Sequence, residues 1–172
     1  RISGFAAHDD RAVIYCSTET HSAVTRAARV LGFDAARIRL LAATADDIID
    51  IDALKTAIAR DRAEGLVPFV IVANAGTTST GAIDPMHELA DVAAAHDIWL
   101  HVDAAYGGFA ALTVRGRTAL SGIERSDSIV LDPHKWLYQT FEVGCLLVRD
   151  STLLERAFHV MPPYLQDTAL PD

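Results

Sequence analysis

Short apolar runs of four or five residues alternate along this chain with segments whose apolar side chains recur every three or four positions. Ala12 to Cys16 reads as a strand, and Val24, Ala27, Ala28 and Leu31 then share one face of a helix. Thr18 or Thr20 is placed to cap that helix and Gly32 to end it. Ile38 to Leu41 reads as the next strand, and a helix capped by Asp50 turns Leu54, Ala57 and Ile58 inward before Gly65. Phe69 to Ala73 is apolar on successive residues, as a strand covered on both faces requires, and Met86, Leu89, Ala90 and Ala93 mark the helix behind it. Ile98 to Val102 runs into Asp103, Ser128 to Leu131 runs into Asp132, and Gly144 to Val148 supplies a further strand. Strands alternating with helices, joined by right-handed crossovers, predict an α/β fold: a mainly parallel sheet with helices on both faces. Ligands of such sheets bind beyond the carboxyl ends of the strands, so the residues just after each strand are where chemistry is expected.

Composition narrows the function. The 172 residues, about half of them hydrophobic, suffice for one core. A formal charge of -8 argues against nucleic acid, whose phosphates call for clustered Lys and Arg. The longest apolar stretches fall far short of the roughly 18 residues that cross a bilayer, so no membrane span is expected. Cys16 and Cys145 are far apart and form no C-x-x-C pair, which indicates neither disulfide nor zinc knuckle and makes a reducing cytoplasm the expected compartment. The sequence starts at Arg1 without a signal-peptide pattern and stops at Pro171 and Asp172, and it is read as part of a longer chain. Ala93, Ala94 and Ala95 reflect helix propensity rather than a repeat.

Three strand-end segments hold polar residues that a core would not select: Gly76-Thr77-Thr78-Ser79, His101-Val102-Asp103-Ala104-Ala105-Tyr106 and Asp132-Pro133-His134-Lys135-Trp136. Singly, each has a plain structural account. The first would be a turn, Asp103 a helix cap, and Lys135 a solvated lysine. Together they could converge on one site.

P-H-K-W after a strand, H-V-D-A-A-Y at an earlier strand end and G-T-T-S before that resemble the group II pyridoxal-phosphate-dependent amino-acid decarboxylases, which include the aromatic-amino-acid and glutamate decarboxylases. The intervals fit as well, with 25 residues from Thr78 to Asp103 and 32 from Asp103 to Lys135. The resemblance runs over nearly the whole chain. It implies a fold like the large domain of fold-type I pyridoxal-phosphate enzymes, the cofactor pyridoxal 5'-phosphate, and removal of carbon dioxide from an L-amino acid, aromatic substrates favoured.

The resemblance also implies roles. Lys135 would hold the cofactor covalently through its amine, a task Arg cannot take over. Asp103 would keep the ring nitrogen protonated, since a carboxylate within about 4 to 6 Å favours a cation by roughly 1 to 3 pKa units. His21, in Thr20-His21-Ser22, would lie over one ring face and the methyl of Ala105 on the other. Thr78 would stand near Asp103 and the ring, and His134 near the cofactor phosphate or the substrate. For His101 two readings stay open, a bond that orients Asp103 and a satisfied core histidine. Tyr106, Trp136 and Phe141 read as packing.

One position departs from the pattern. Animal aromatic-amino-acid decarboxylases carry Asn where this chain has Asp132, and a carboxylate repels a phosphate dianion. Asp132 is therefore not assigned to the phosphate and is expected to accept bonds from N–H groups of its turn. Residues 1–172 would form part of one cofactor-binding large domain. The family's phosphate-gripping loop would lie upstream, and its mobile loop, approached through Tyr164-Leu165-Gln166-Asp167, and its C-terminal domain downstream. A homodimer and a small amino-acid substrate are the implied partners, and a fragment alone is expected to bind cofactor weakly. The competing readings are an aminotransferase or cysteine desulfurase of the same fold, a metal hydrolase built on His101, Asp103 and His134, and a non-catalytic binding module.

Overall fold

The computed structural model describes residues 10–158. A six-stranded sheet runs through it, with β1 (Ala12–Ser17), β2 (Ile38–Leu41), β3 (Val67–Asn74), β4 (Trp99–Asp103), β5 (Ser128–Leu131) and β6 (Cys145–Val148) in the spatial order β2-β1-β3-β4-β5-β6. The first five strands are parallel and β6 pairs antiparallel with β5, Leu131 opposite Cys145. The segment containing Tyr164 to Asp167 lies outside the described residues.

Alternation along the strands divides the core between two faces, as the period of two in a strand dictates. Val13 and Tyr15 of β1 and Ile71 and Ala73 of β3 pack with Leu54, Ala57 and Ile58 of α2 (Ile51–Ala63) and with Met86, Leu89 and Ala90 of α3 (Met86–His96). Ala12, Ile14, Cys16 and Val72 turn to the opposite face, where Ala28 of α1 (Ser22–Val30) and Phe33 cover them. Burial pushes the Cys16 thiol up to about 11, which leaves it a packing group. A buried polar cluster pins the β1–β2 edge. Tyr15 donates its hydroxyl to Asp61 at 2.8 Å, and Arg39 grips the same carboxylate through Nε and Nη2 at 3.0 and 2.7 Å.

The helix stops fall where local chemistry puts them. Asp50 accepts from the N–H groups of Asp52 and Ala53, both at 2.9 Å, and Gly32 and Gly65 sit at φ of 92° and 76° just past their helices. Three expectations need correction. His21 caps α1 in place of Thr18 or Thr20, accepting the Ala23 N–H at 3.2 Å on Nδ1. Ala27 and Leu31 are exposed, because α1 meets the sheet mainly through Ala28. Phe69 is 47% exposed, its ring stacked on Phe33, so β3 is covered on both faces only from Ile71 onward.

Candidate active site at the carboxyl ends of the strands

Asn74, Asp103 and Val130 are register partners at the ends of β3, β4 and β5, so their side chains point to the same side of the sheet. They form the floor of a cavity of about 230 Å³ whose walls are His21, Ala23, Gly76, Thr77, Thr78, Ala105, Tyr106, Asp132 and Lys135. Four separate segments thus meet: the start of α1, the loop after β3, the loop that leads from β4 toward α4 (Val114–Ala119), and α5 (Pro133–Trp136) after β5. Of the expected site residues, Lys135, Asp103, His21, Thr78 and Ala105 come together here, and His134 does not line the cavity.

Backbone bonds lace these loops. The Ala75 N–H donates to the Asp103 carbonyl at 2.8 Å, Gly107 N–H to the Ala75 carbonyl at 3.0 Å, and Asp132 N–H to the Ala105 carbonyl at 3.3 Å. Gly76 needs its φ of 99°, and a side chain there would press on Tyr106 and Gly107. The loop is held from inside by buried Thr77, whose hydroxyl bonds Thr80 at 2.8 Å and accepts the Ala82 N–H at 3.1 Å.

Each cavity side chain has a defined setting. Asp103 accepts the Ala105 N–H at 3.2 Å on Oδ1. Because Nδ1 of His21 is taken by the cap, a neutral ring carries its proton on Nε2. Lys135 extends from α5, and its Nζ lies 2.9 Å from Asp132 Oδ2. Asp132 occupies the N-cap position of α5 without accepting a bond from the turn, contrary to expectation; its carboxylate goes to the lysine instead.

His134 bonds the Val143 backbone, with Nδ1 2.8 Å from the carbonyl and 3.1 Å from the N–H, and stands edge-on to Phe141. His101 resolves to the core reading. Its Nδ1 bonds Ser128 Oγ at 2.8 Å, and burial holds its pKa below the usual imidazole range despite the nearby Asp103 charge. Tyr106, read as packing, lines the cavity while its ring meets Trp136 edge-on; Phe141 is largely exposed. Among the described residues no group of three or more His, Cys, Asp and Glu side chains is arranged to hold a metal ion, the set His101, Asp103 and His134 included. Nor, among them, is any helix long and apolar enough to cross a membrane.

Sequence reasoning missed Asn74 and Asp84. Asn74 is a buried amide on the cavity floor whose Nδ2 lies 3.3 Å from Ser17 Oγ, 3.2 Å from Thr20 Oγ1 and 2.9 Å from Asp84 Oδ2. Asp84 also accepts the N–H groups of Ile49 at 2.7 Å and Asn74 at 2.6 Å, and burial raises its pKa against those bonds. The network ties β3 to the turn that presents His21. A polar residue directly after an apolar strand was the available signal.

A family model described as the pyridoxal-dependent decarboxylase conserved domain matches residues 5–171. An aromatic-L-amino-acid decarboxylase of Bacillus atrophaeus is 46% identical over 159 residues, 92% of this chain and 33% of that protein. A tryptophan decarboxylase of Camptotheca acuminata is 44% identical over 157 residues, 90% of this chain and 31% of that one. The crystal structure of Oryza sativa TDC with PLP and tryptamine superposes with a TM-score of 0.87 at 40% identity, over 95% of this chain and 35% of that chain. The chain spans about a third of the length of the curated relatives it matches.

Proposed function

The chain belongs to the pyridoxal-dependent decarboxylase family, and from that premise we propose that it carries the cofactor-binding part of an enzyme that removes carbon dioxide from an L-amino acid, aromatic substrates favoured. The observation that carries the reading is the convergence of Lys135, Asp103, His21, Ala105 and Thr78 on one cavity. An amine, a carboxylate, an imidazole and a methyl group around one space suit a flat aromatic aldehyde with a basic ring nitrogen. Pyridoxal phosphate, when bound, supplies a sink for the electron pair left on the α-carbon as carbon dioxide departs.

The chain's own residues have these parts. Lys135 would hold the cofactor through its amine. Asp103, fixed by the Ala105 N–H, would hold a proton at the ring nitrogen by charge. His21 and Ala105 would hold the ring from its two faces, His21 with its proton on Nε2. Thr78, exposed at the rim, would offer a hydroxyl beside Asp103. Names of relatives support the substrate class, since they include aromatic-L-amino-acid and tryptophan decarboxylases. A cytoplasmic homodimer completes the proposal, with the exposed Tyr138 and Phe141 after Lys135 as apolar surface for a second subunit.

The test is carbon dioxide release by the full-length protein that contains this chain, across a panel of L-amino acids with pyridoxal phosphate present. Release from aromatic members, and visible cofactor absorbance that disappears in Lys135→Ala, is the expected result. Amino transfer to a keto acid without carbon dioxide would overturn decarboxylation, and absorbance unchanged in Lys135→Ala would overturn the site.

A further inference from the structure

Resting on that reading of Lys135, we propose that Asp132 is a positioning residue that restrains the lysine: it holds the amine as an ion pair on its own turn and yields it when the amine reacts, with His134 as the partner left behind. Two carboxylates, Asp103 and Asp132, line the cavity, and Lys135 is the one cationic Lys or Arg among its described lining residues. The lysine has chosen Asp132, at 2.9 Å and three residues away on one short helix. An aspartate at a helix N-cap ordinarily spends its carboxylate on the first free N–H groups. Asp132 does not, although the Lys135 N–H reaches its backbone carbonyl at 3.0 Å.

The pair is partly sheltered, with the Asp132 side chain 20% and the Lys135 side chain 40% exposed. His134 Nε2 stands 3.9 Å from the same Oδ2. His134 Nδ1 lies 2.8 Å from the Val143 carbonyl and 3.1 Å from its N–H, and in the tautomer that accepts from the N–H, or in the protonated ring, Nε2 turns a proton toward the carboxylate that Lys135 would vacate. The remaining ionisable groups among the cavity lining are Asp103 at the end of β4, Tyr106 from the loop after it and His21 from the start of α1.

The chemical consequence concerns a lone pair. An ammonium has none, so Lys135 must first give a proton to water; the neutral nitrogen then bonds the aldehyde carbon, and the carbonyl oxygen leaves as water. The 2.9 Å contact with Asp132 must also open before Nζ can reach an aldehyde carbon. The same contact keeps Nζ at the cavity wall and leaves Asp103 free for a second cation.

The experiment follows Lys135 itself in the full-length protein that contains this chain, prepared without cofactor. Trinitrobenzenesulfonate labelling, read by peptide mass spectrometry, reports the free amine, and pyridoxal phosphate capture, read by absorbance and borohydride trapping, reports the cofactor reaction. Asp132→Asn is expected to label about three- to tenfold faster at pH 7.5. The advantage should vanish at pH 11, above the ordinary lysine range, and Asp132→Glu should stay near the unsubstituted rate. Asp132→Ser provides the same comparison should the amide disturb folding. A labelling rate at pH 7.5 no greater than that of the unsubstituted chain would overturn the restraint, as would a gain that persists at pH 11, which marks access alone. If labelling behaves as expected while no protein captures pyridoxal phosphate, the restraint stands and the cofactor reading falls.

Discussion

Gly107→Ala is the substitution that most directly tests how the cavity is held together. Gly107 is buried where the loop after β4 crosses the loop after β3, and a Cβ there would sit 2.3 Å from the Ala75 carbonyl oxygen and 3.0 Å from its carbon. Both are backbone atoms, so no side chain can rotate aside. Reaching about 3 Å requires the loops to part by roughly 0.7 Å, and the bond from the Gly107 N–H to that same oxygen, now 3.0 Å, must stretch with them. Overpacking of this kind costs about 1–3 kcal/mol and a weakened hydrogen bond up to about 1 more. A total near 2–3 kcal/mol lowers Tm by about 5–10 °C in a domain of this size. The loop after β3 carries Thr78, and the loop after β4 carries Ala105 and starts from Asp103 at the strand end, and displacements near 1 Å can cost about 100-fold in a site that works by positioning. Pyridoxal phosphate capture should therefore fall about 10- to 100-fold. Thermal melting and an absorbance titration measure both effects. Gly144→Ala is the control, since its Cβ would meet only Asp132 Oδ1 at an ordinary 3.5 Å. A Gly107→Ala protein that melts within about 1 °C of the parent and captures cofactor equally well would refute the crossing-loop account.

Arg39→Met should destabilise the fold by about 2 kcal/mol, below the usual cost of orphaning a buried carboxylate because Tyr15 and Arg60 still reach Asp61; urea melts measure it. Burial pushes the Asp61 pKa up, but bonds and charge from Arg39, with Tyr15 and Arg60, hold it below the ordinary value. Its contribution is thus present above the ordinary carboxylate range and lost as pH falls through the lower folded value, and Asp61→Asn should flatten that acid limb. His101, with a folded pKa depressed by burial, stabilises above about pH 6.5, and that contribution is lost as pH falls through its folded value; His101→Gln should remove this slope from stability measured between pH 7 and 5. Asn74→Ala should cost about 1–2 kcal/mol by leaving Asp84 short of a donor, and should weaken cofactor binding more than Arg39→Met does, because it frees the turn behind His21.

The fold class was legible in the sequence, and so was the meeting of three strand-end segments at one edge of the sheet. Periodicity is a local property, and it located all six strands within two residues at each end, as well as the caps at Asp50, Gly32 and Gly65. Strand-end placement in a parallel sheet then brought Lys135, Asp103, Thr78 and Ala105 to one rim before any coordinates. Which side chains pair across that rim depends on contacts between segments far apart in the chain. Asp132 and Asp103 look alike in sequence, each directly following a strand, yet one holds the lysine and the other faces the cavity with its lysine contact untaken. The cap on α1 fell to His21 because Thr20 is drawn to Ser17 and Asn74, and Asn74 is positioned by Asp84 ten residues on. Hydrogen-bond partners are chosen by distances of a few tenths of an ångström among several competitors, and a period or a motif does not carry that information.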